Sequence, residues 1–127
     1  MIYRSNKYGA RKVTTASGQT FDSIREYQRF CELNLMQRAG AITDLECQVK
    51  FELIPAQYEE YPRQGKNGKP LKPGRRVIEK ECTYIADFVY KQNGQKVVED
   101  AKGCKTKEYR IKKKLMLYVH GIRIQEV

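Results

Sequence analysis

The sequence predicts one small mixed α/β (α+β) domain with elements in the order helix, three strands, helix, strand. Three observations predict it. Apolar residues recur at helical spacing in two stretches, one after Ser23 and one after Thr106. Between them, Cys47-Gln48-Val49-Lys50-Phe51-Glu52-Leu53 alternates strictly between apolar and polar residues, and two further apolar runs are joined by Asn93-Gly94. At 127 residues, 40% of them hydrophobic, the chain suits a single compact core spanning residues 1–127.

The first twenty residues carry Arg4, Lys7, Arg11 and Lys12 and no acid, so they read as a basic arm that closes into a short hairpin around Ser17-Gly18. A helix should start at Asp22 or Ser23. Ser23 with Glu26 fits a capping box, in which serine and glutamate each satisfy an orphan backbone N–H group. Ile24, Tyr27, Cys31 and Leu35, widened by Phe30, Leu33 and Met36, supply its apolar arc, and Gly40 stops it. In the first strand, Cys47, Val49, Phe51 and Leu53 should face the core, with Pro55 ending the run.

Residues 55 to about 76 hold Pro62, Gly65, Asn67-Gly68, Pro70 and Pro73-Gly74, together with Arg63, Lys66, Lys69, Lys72, Arg75 and Arg76. Such density of turn residues predicts a mobile basic insertion, a hairpin tip or loop that projects from the domain. The second strand should run from about Val77 to Tyr90, and the third from about Lys96 to Lys102, joined by the Asn93-Gly94 turn. Thr106 caps the second helix, whose apolar face is Tyr109, Ile111, Leu115 and Tyr118 with Met116 and Val119. Gly121 ends it, and Ile122-Arg123-Ile124 begins a last strand. A helix crossing from the third strand to the last makes the sheet mixed, flanked by helices.

A net charge of +10, from 25 Lys and Arg against 15 Asp and Glu, favours anionic partners, above all nucleic acid. There is no apolar run long enough to cross a membrane, so no membrane partner is expected. The start of the chain lacks the apolar segment of a secretory signal, and a cytoplasmic location is expected. Cys31, Cys47, Cys82 and Cys104 form no Cys-x-x-Cys pair and His120 is the only histidine, which is poor zinc spacing; free thiols in a reducing compartment fit better. Gly103-Cys104-Lys105-Thr106 lacks the contiguous Gly-Lys-Thr of a phosphate-binding loop.

The chemistry concentrates on the second and third strands. Alternation puts Asp100 and Lys102 on one face of the third strand, with Glu99 and Ala101 on the other; Asp87 shares a face with Ile85 and Val89. A tight hairpin centred on Asn93-Gly94 pairs residues whose numbers sum to about 187, so Asp87 stands opposite Asp100, about 5 Å away. A bulge would exchange Glu99 for Asp100; the Asp-x-Lys spacing favours Asp100. Two facing carboxylates stay ionised together when a cation sits between them, and an oxygen-only ligand set suits magnesium or manganese rather than zinc. Lys102 beside that cation would orient a water or stabilise extra negative charge on a phosphate. The plainer reading is a salt bridge of Asp87 or Asp100 with Lys102 on a solvated face.

Asp87 followed thirteen residues later by Asp100-Ala101-Lys102 resembles the signature of the PD-(D/E)XK nuclease superfamily, and the element order is similar to its αβββαβ, restriction-endonuclease-like core. More closely, Asn6-Lys7-Tyr8-Gly9, Phe21-Asp22-Ser23 with Glu26, Gln48 to Leu53, Tyr84 to Phe88, and Val98 to Gly103 with Thr106 resemble a group of small phage and prophage nuclease-like proteins, akin to Holliday-junction resolvases. The resemblance implies that Asp87, Asp100, the backbone carbonyl of Ala101 and Glu26 bind the metal, and that Lys102 is the catalytic lysine. The helical position of Glu26, between Leu33 and Phe30 around the axis, lets it point toward the sheet. Ala86 stands where the superfamily signature has proline, and Asp100 where glutamate is commoner.

The expected function is therefore a Mg2+-dependent endodeoxyribonuclease acting on branched or structured DNA such as Holliday junctions, with a homodimer implied by two-fold substrates. In a phage-encoded protein the location would be the bacterial host cytoplasm. Lys7, Arg11, Lys12, Arg75, Arg76, Lys105, Lys107, Arg110 and Lys113 are the candidate phosphate contacts, and Gln48, opposite the apolar set of its strand, is a candidate to line the site. The alternative is a nucleic-acid-binding module that keeps the scaffold and cuts nothing.

Overall fold

The computed structural model describes residues 2–5, 11–101 and 105–127. Lys7, Lys102 and Cys104 lie outside these residues. The element order is β1 (Ile2–Ser5), β2 (Arg11–Thr14), β3 (Thr20–Phe21), α1 (Ile24–Arg38), β4 (Thr43–Ile54), β5 (Gln57–Gln64), β6 (Pro70–Glu79), β7 (Cys82–Gln92), β8 (Gln95–Asp100), α2 (Lys107–His120) and β9 (Gln125–Glu126). The protein is mixed α+β. Its central sheet has the order β4-β7-β8-β9, antiparallel except for the parallel β8–β9 pair that α2 makes necessary. With α1 ahead of it, that sheet follows the helix, three strands, helix, strand order of the sequence reading.

Local chemistry sets the boundaries. The Ser23 hydroxyl accepts from the Glu26 N–H at 3.1 Å and the Thr106 hydroxyl from the Tyr109 N–H at 3.1 Å, so each helix starts on an oxygen that satisfies an orphan donor. Gly121 ends α2 at φ +66°, a left-handed conformation that glycine adopts without a Cβ penalty. Asn93 and Gly94 take φ +53° and +75°, and the β7–β8 hairpin pairs Gln92 with Gln95 around them. The hairpin expected at Ser17-Gly18 joins β2 to β3, and the basic arm is therefore part of a three-stranded antiparallel sheet, β1-β2-β3.

Two hydrophobic clusters lie on opposite faces of the central sheet. Leu33 of α1, with Phe30 and Met36 beside it, packs on Ile42, Phe88 and Tyr90. Tyr109 and Met116 of α2 pack on Phe51, Leu53, Tyr84, Ala86, Val89, Val98 and Ile124. Cys47 belongs to the first cluster and Val49 to the second, so the expectation that Cys47, Val49, Phe51 and Leu53 share one core face is corrected. The cause is Gln48. Its φ of +54° turns the strand over, while pairing continues from Cys47–Phe88 to Val49–Ala86 without a change of register. On β7, Ile85 is exposed and Val89 buried, although both were expected on the face of Asp87.

Other expectations also change. The segment expected as a projecting loop or hairpin tip is a regular two-stranded ribbon, β5–β6, extending to Glu79, and the long second strand is interrupted between Glu79 and Cys82. Leu35 of α1 and Ile111, Tyr118 and Val119 of α2 are exposed rather than core, because each helix covers the sheet with a narrower stripe than its apolar residues span. The third strand ends at Asp100, and the last strand is Gln125–Glu126, with Ile124 buried ahead of it.

Candidate functional site

The site assembles where β4 turns over. Glu26 sits in the first turn of α1 and is only 4% exposed. Its Oε2 accepts from the backbone N–H of Asp22 at 3.2 Å, the N-terminal half of a cap, and its Oε1 accepts from the side-chain amide of Gln48 at 2.8 Å. That amide nitrogen also lies 3.3 Å from Oδ1 of Asp87, and Asp87 Oδ2 accepts from the backbone N–H of Ala101 at 2.8 Å. One amide group therefore touches both carboxylates. The left-handed backbone of Gln48 is what brings its side chain to this point.

The hairpin register is the one expected from its turn: Phe88 pairs with Glu99 and Val89 with Val98. Continued by one residue, it sets Asp87 opposite Asp100. The two residues then part in their bonding. Asp100 is 2% exposed and accepts from the Tyr84 hydroxyl at 2.5 Å, on the face covered by α2. Glu99 lies on the other face, fully buried. Arg29 donates to both its oxygens at 2.8 Å, and the Tyr90 hydroxyl donates to it as well. Both acids are thus engaged: Glu99 by the bidentate ion pair with Arg29, and Asp100 by Tyr84, at the strand position next to the amide that Asp87 holds.

Electrostatics follow from burial and like charge. Burial, and then the negative charge of Asp87, raise the Glu26 carboxyl to about 7, against the N–H of Asp22 and the Gln48 amide, which favour its ionised form. Burial and the bond to Asp100 push the Tyr84 hydroxyl up, and burial and the bond to Glu99 push Tyr90 up to about 12. Burial also raises the Cys47 thiol, which keeps it neutral, and Cys31, Cys47 and Cys82 are half-buried free thiols.

Glu26 and Asp87 offer oxygen donors only, and their shared excess of negative charge is what a hard divalent cation would neutralise. Such an oxygen-only pair would suit magnesium or manganese better than zinc. Among the described residues no group of three or more His, Cys, Asp or Glu side chains converges as a ligand cluster. Between β7 and the start of α2, a cleft of about 320 Å³ is lined by residues including Tyr84, Thr106, Tyr109 and Lys112.

The candidate phosphate contacts are dispersed. Arg11 and Lys12 are exposed on β2, Lys107 and Arg110 on the first turns of α2, and Arg75 and Arg76 on β6. Arg75 lies over the Tyr58 ring at 3.7 Å, while Arg76 pairs with Glu59. Lys105 and Lys113 both pair with Glu126, at 3.4 and 2.6 Å, which lowers that carboxyl and occupies the two lysines. Gln48 is in the site. Sequence reasoning missed Arg29 and Tyr84, which hold Glu99 and Asp100. Arg29 stands three residues after Glu26 and so on the same side of α1, a spacing that could have drawn attention to it; nothing in the sequence marks Tyr84.

Fold and site together define a small α+β domain in which Gln48 of the central sheet joins Glu26 of α1 to Asp87 of β7. The chain belongs to the DUF1064 family, described as a protein of unknown function, whose model matches residues 5–124. No curated protein matches the chain, and no solved structure does. No helix among the described residues is long and apolar enough to cross a membrane.

Proposed function

We propose that this protein is a metal-dependent endonuclease of the PD-(D/E)XK type, with a restriction-endonuclease-like fold, hydrolysing phosphodiester bonds in branched or structured DNA. One observation carries the reading. Asp87 holds the backbone amide that follows Asp100, while Gln48 ties Asp87 to Glu26, so residues from α1, β4, β7 and the end of β8 meet at one point. The left-handed glutamine is a local backbone cost, and strain of this kind clusters at functional sites.

Magnesium or manganese bound there would neutralise the acids, ligate a phosphate oxygen and make a water nucleophilic at neutral pH. The residues supply the rest. Asp87 is fixed at both oxygens, by Gln48 and by the Ala101 N–H, so its donor direction is set before any ligand arrives. Glu26, with its carboxyl near neutrality, is able to hold or release a proton at Oε1 at working pH. Lys102, outside the described residues, keeps the role of charge-stabilising lysine on the sequence pattern alone. Arg11, Lys12, Lys107 and Arg110 would grip the phosphate backbone without reading sequence. The protein would act as a homodimer in a cytoplasmic setting.

The test is cleavage of flap, fork and four-way-junction DNA by the full chain with magnesium, with manganese and with EDTA. Cutting should need the metal, and Asp87→Ala and Asp100→Ala should each lose at least about a hundredfold in rate. The Tyr84–Asp100 bond favours a second reading, a binding module that cuts nothing, since a hydroxyl already satisfies one of the acids. Tight binding of these substrates with no cleavage under either metal would establish that reading and end the first; the same panel in RNA shows which nucleic acid is used. Sedimentation velocity checks the dimer.

A further inference from the structure

The β5–β6 ribbon stands apart from the rest of the protein. Its extensive packing is of β5 on β6, and neither hydrophobic cluster takes a residue from 57–79. An isolated two-stranded ribbon is marginal in water, so this one needs something to hold its shape. Cross-strand stacking does part of that. Tyr61 pairs with Gly74, which is buried beneath its ring, and the Arg76 guanidinium lies 5.2 Å from the same ring, as Arg75 lies over Tyr58. The stacked half is near the base. Charge is divided along the length. Glu59, Glu60 and Glu79 stand at the base, whereas residues 61–76 carry Arg63, Lys66, Lys69, Lys72, Arg75 and Arg76 and no acid.

Arg63, Lys66, Lys69 and Lys72 are exposed, and among the described residues none of them has an ion-pair partner. Four unpaired cations on an outstretched arm repel one another, an arrangement that an anionic partner would relieve. The arm is about 25 Å long from eight residues at roughly 3.3 Å each, and a two-stranded ribbon fits the major groove of B-DNA, about 12 Å wide. Two other partners fit less well. Pro62 on β5 and Pro70 and Pro73 on β6 interrupt both outer edges, which works against a further strand from a second copy. At the tip, Leu71 is the one large apolar side chain exposed, among Lys66, Lys69 and Lys72, too little to enter a lipid surface.

We propose that the β5–β6 ribbon is a DNA arm that lies in the major groove of a duplex and grips phosphates through Arg63, Lys66, Lys69 and Lys72. The inference rests on the nucleic-acid part of the proposed function and not on cleavage. It separates the protein's hold on duplex from the place where the acids meet.

Fluorescence anisotropy of a labelled duplex, titrated with the full chain over a range of salt concentrations, tests it. The variant R63Q/K66Q/K69Q/K72Q should bind at least tenfold more weakly than wild type near 0.1 M salt, with the slope of log K against log salt shallower by about 3. A charge-matched variant, R38Q/K80Q/K91Q/R123Q, should lose less than threefold. Equal losses in the two variants, or a ribbon variant that binds as wild type does, overturn the proposal. If wild type binds and cuts but the ribbon variant is unchanged, only the arm fails; if wild type has no affinity for DNA, the functional reading fails with it. A ribbon variant that changes sedimentation and not DNA affinity would reassign the arm to contact between copies, against the proposal.

Discussion

At Gln48 the backbone takes φ +54° in the middle of a strand, a conformation that costs a residue with a Cβ on the order of 1 kcal/mol. Glycine is free of that cost, so Gln48→Gly should be more stable than Gln48→Ala by about 1 kcal/mol in urea denaturation, although both lose the amide. Equal stability of the two would mean that the left-handed turn is not held there in solution. Glu26 makes a second prediction. Its carboxyl sits at about 7 in the folded chain, against 4.5 for an ordinary glutamate, so between those values the folded state holds the extra proton. Its contribution is therefore complete below pH 4.5 and is lost as pH rises through 7. Relative to Glu26→Gln, wild type should lose stability of order 3 kcal/mol between pH 4 and pH 8, and parallel pH profiles would contradict this. Arg29 gives a third. Arg29→Ala leaves Glu99 buried without its cation and should cost about 3–5 kcal/mol, whereas Glu32→Ala, which removes the exposed partner of Arg29, should cost under about 0.5 kcal/mol.

Elements differ in how plainly the sequence announced them. Both helices were legible from their caps, because Ser23 and Thr106 do a job that few side chains can do, and the β7–β8 register followed from Asn93-Gly94 alone. The ribbon was half legible. Its prolines and glycines gave its position and its hairpin form, but those same residues hid two regular strands, since a proline on an outer edge spoils no ladder bond. The turn in β4 was illegible. Alternation continues unbroken through Gln48 in the sequence, and only packing against two helices shows that the strand changes sides. For the ribbon, a Cβ at Gly74 would lie 2.3 Å from Cζ of Tyr61, so Gly74→Val must displace the ring and the Arg76 stacked on it. Amide exchange of residues 57–79 should then speed up at least tenfold while global stability moves by less than about 1 kcal/mol, because the ribbon shares no core with the sheet. A global loss instead would show that the arm is packed on the body.

For the whole molecule, a net charge of +10 on 127 residues means that folding concentrates like charge. The melting temperature should rise between about 10 mM and 150 mM sodium chloride as the Debye length falls from about 30 to 8 Å, and a flat profile would show that the basic residues are already compensated. Of the candidate site, the sequence pointed to Asp87, Glu26 and Gln48, which the structure brings together, and to Asp100, whose carboxylate turns to Tyr84; strand parity and helical angle both act over a few residues. It did not show which partner each would find, because those bonds join positions far apart in the chain, Arg29 with Glu99 and Gln48 with Asp87. The turn at Gln48 has a consequence for the order in which the chain matures. Residues before it pack with α1 and residues after it pack with α2, and Glu26 meets Asp87 through Gln48 only once α1 has docked on the sheet. A nascent or half-folded chain already has the positive charge to cling to nucleic acid, but it lacks the assembled cluster. The proposed hydrolysis would thus need the docked helix, whereas the charge that attracts nucleic acid would not.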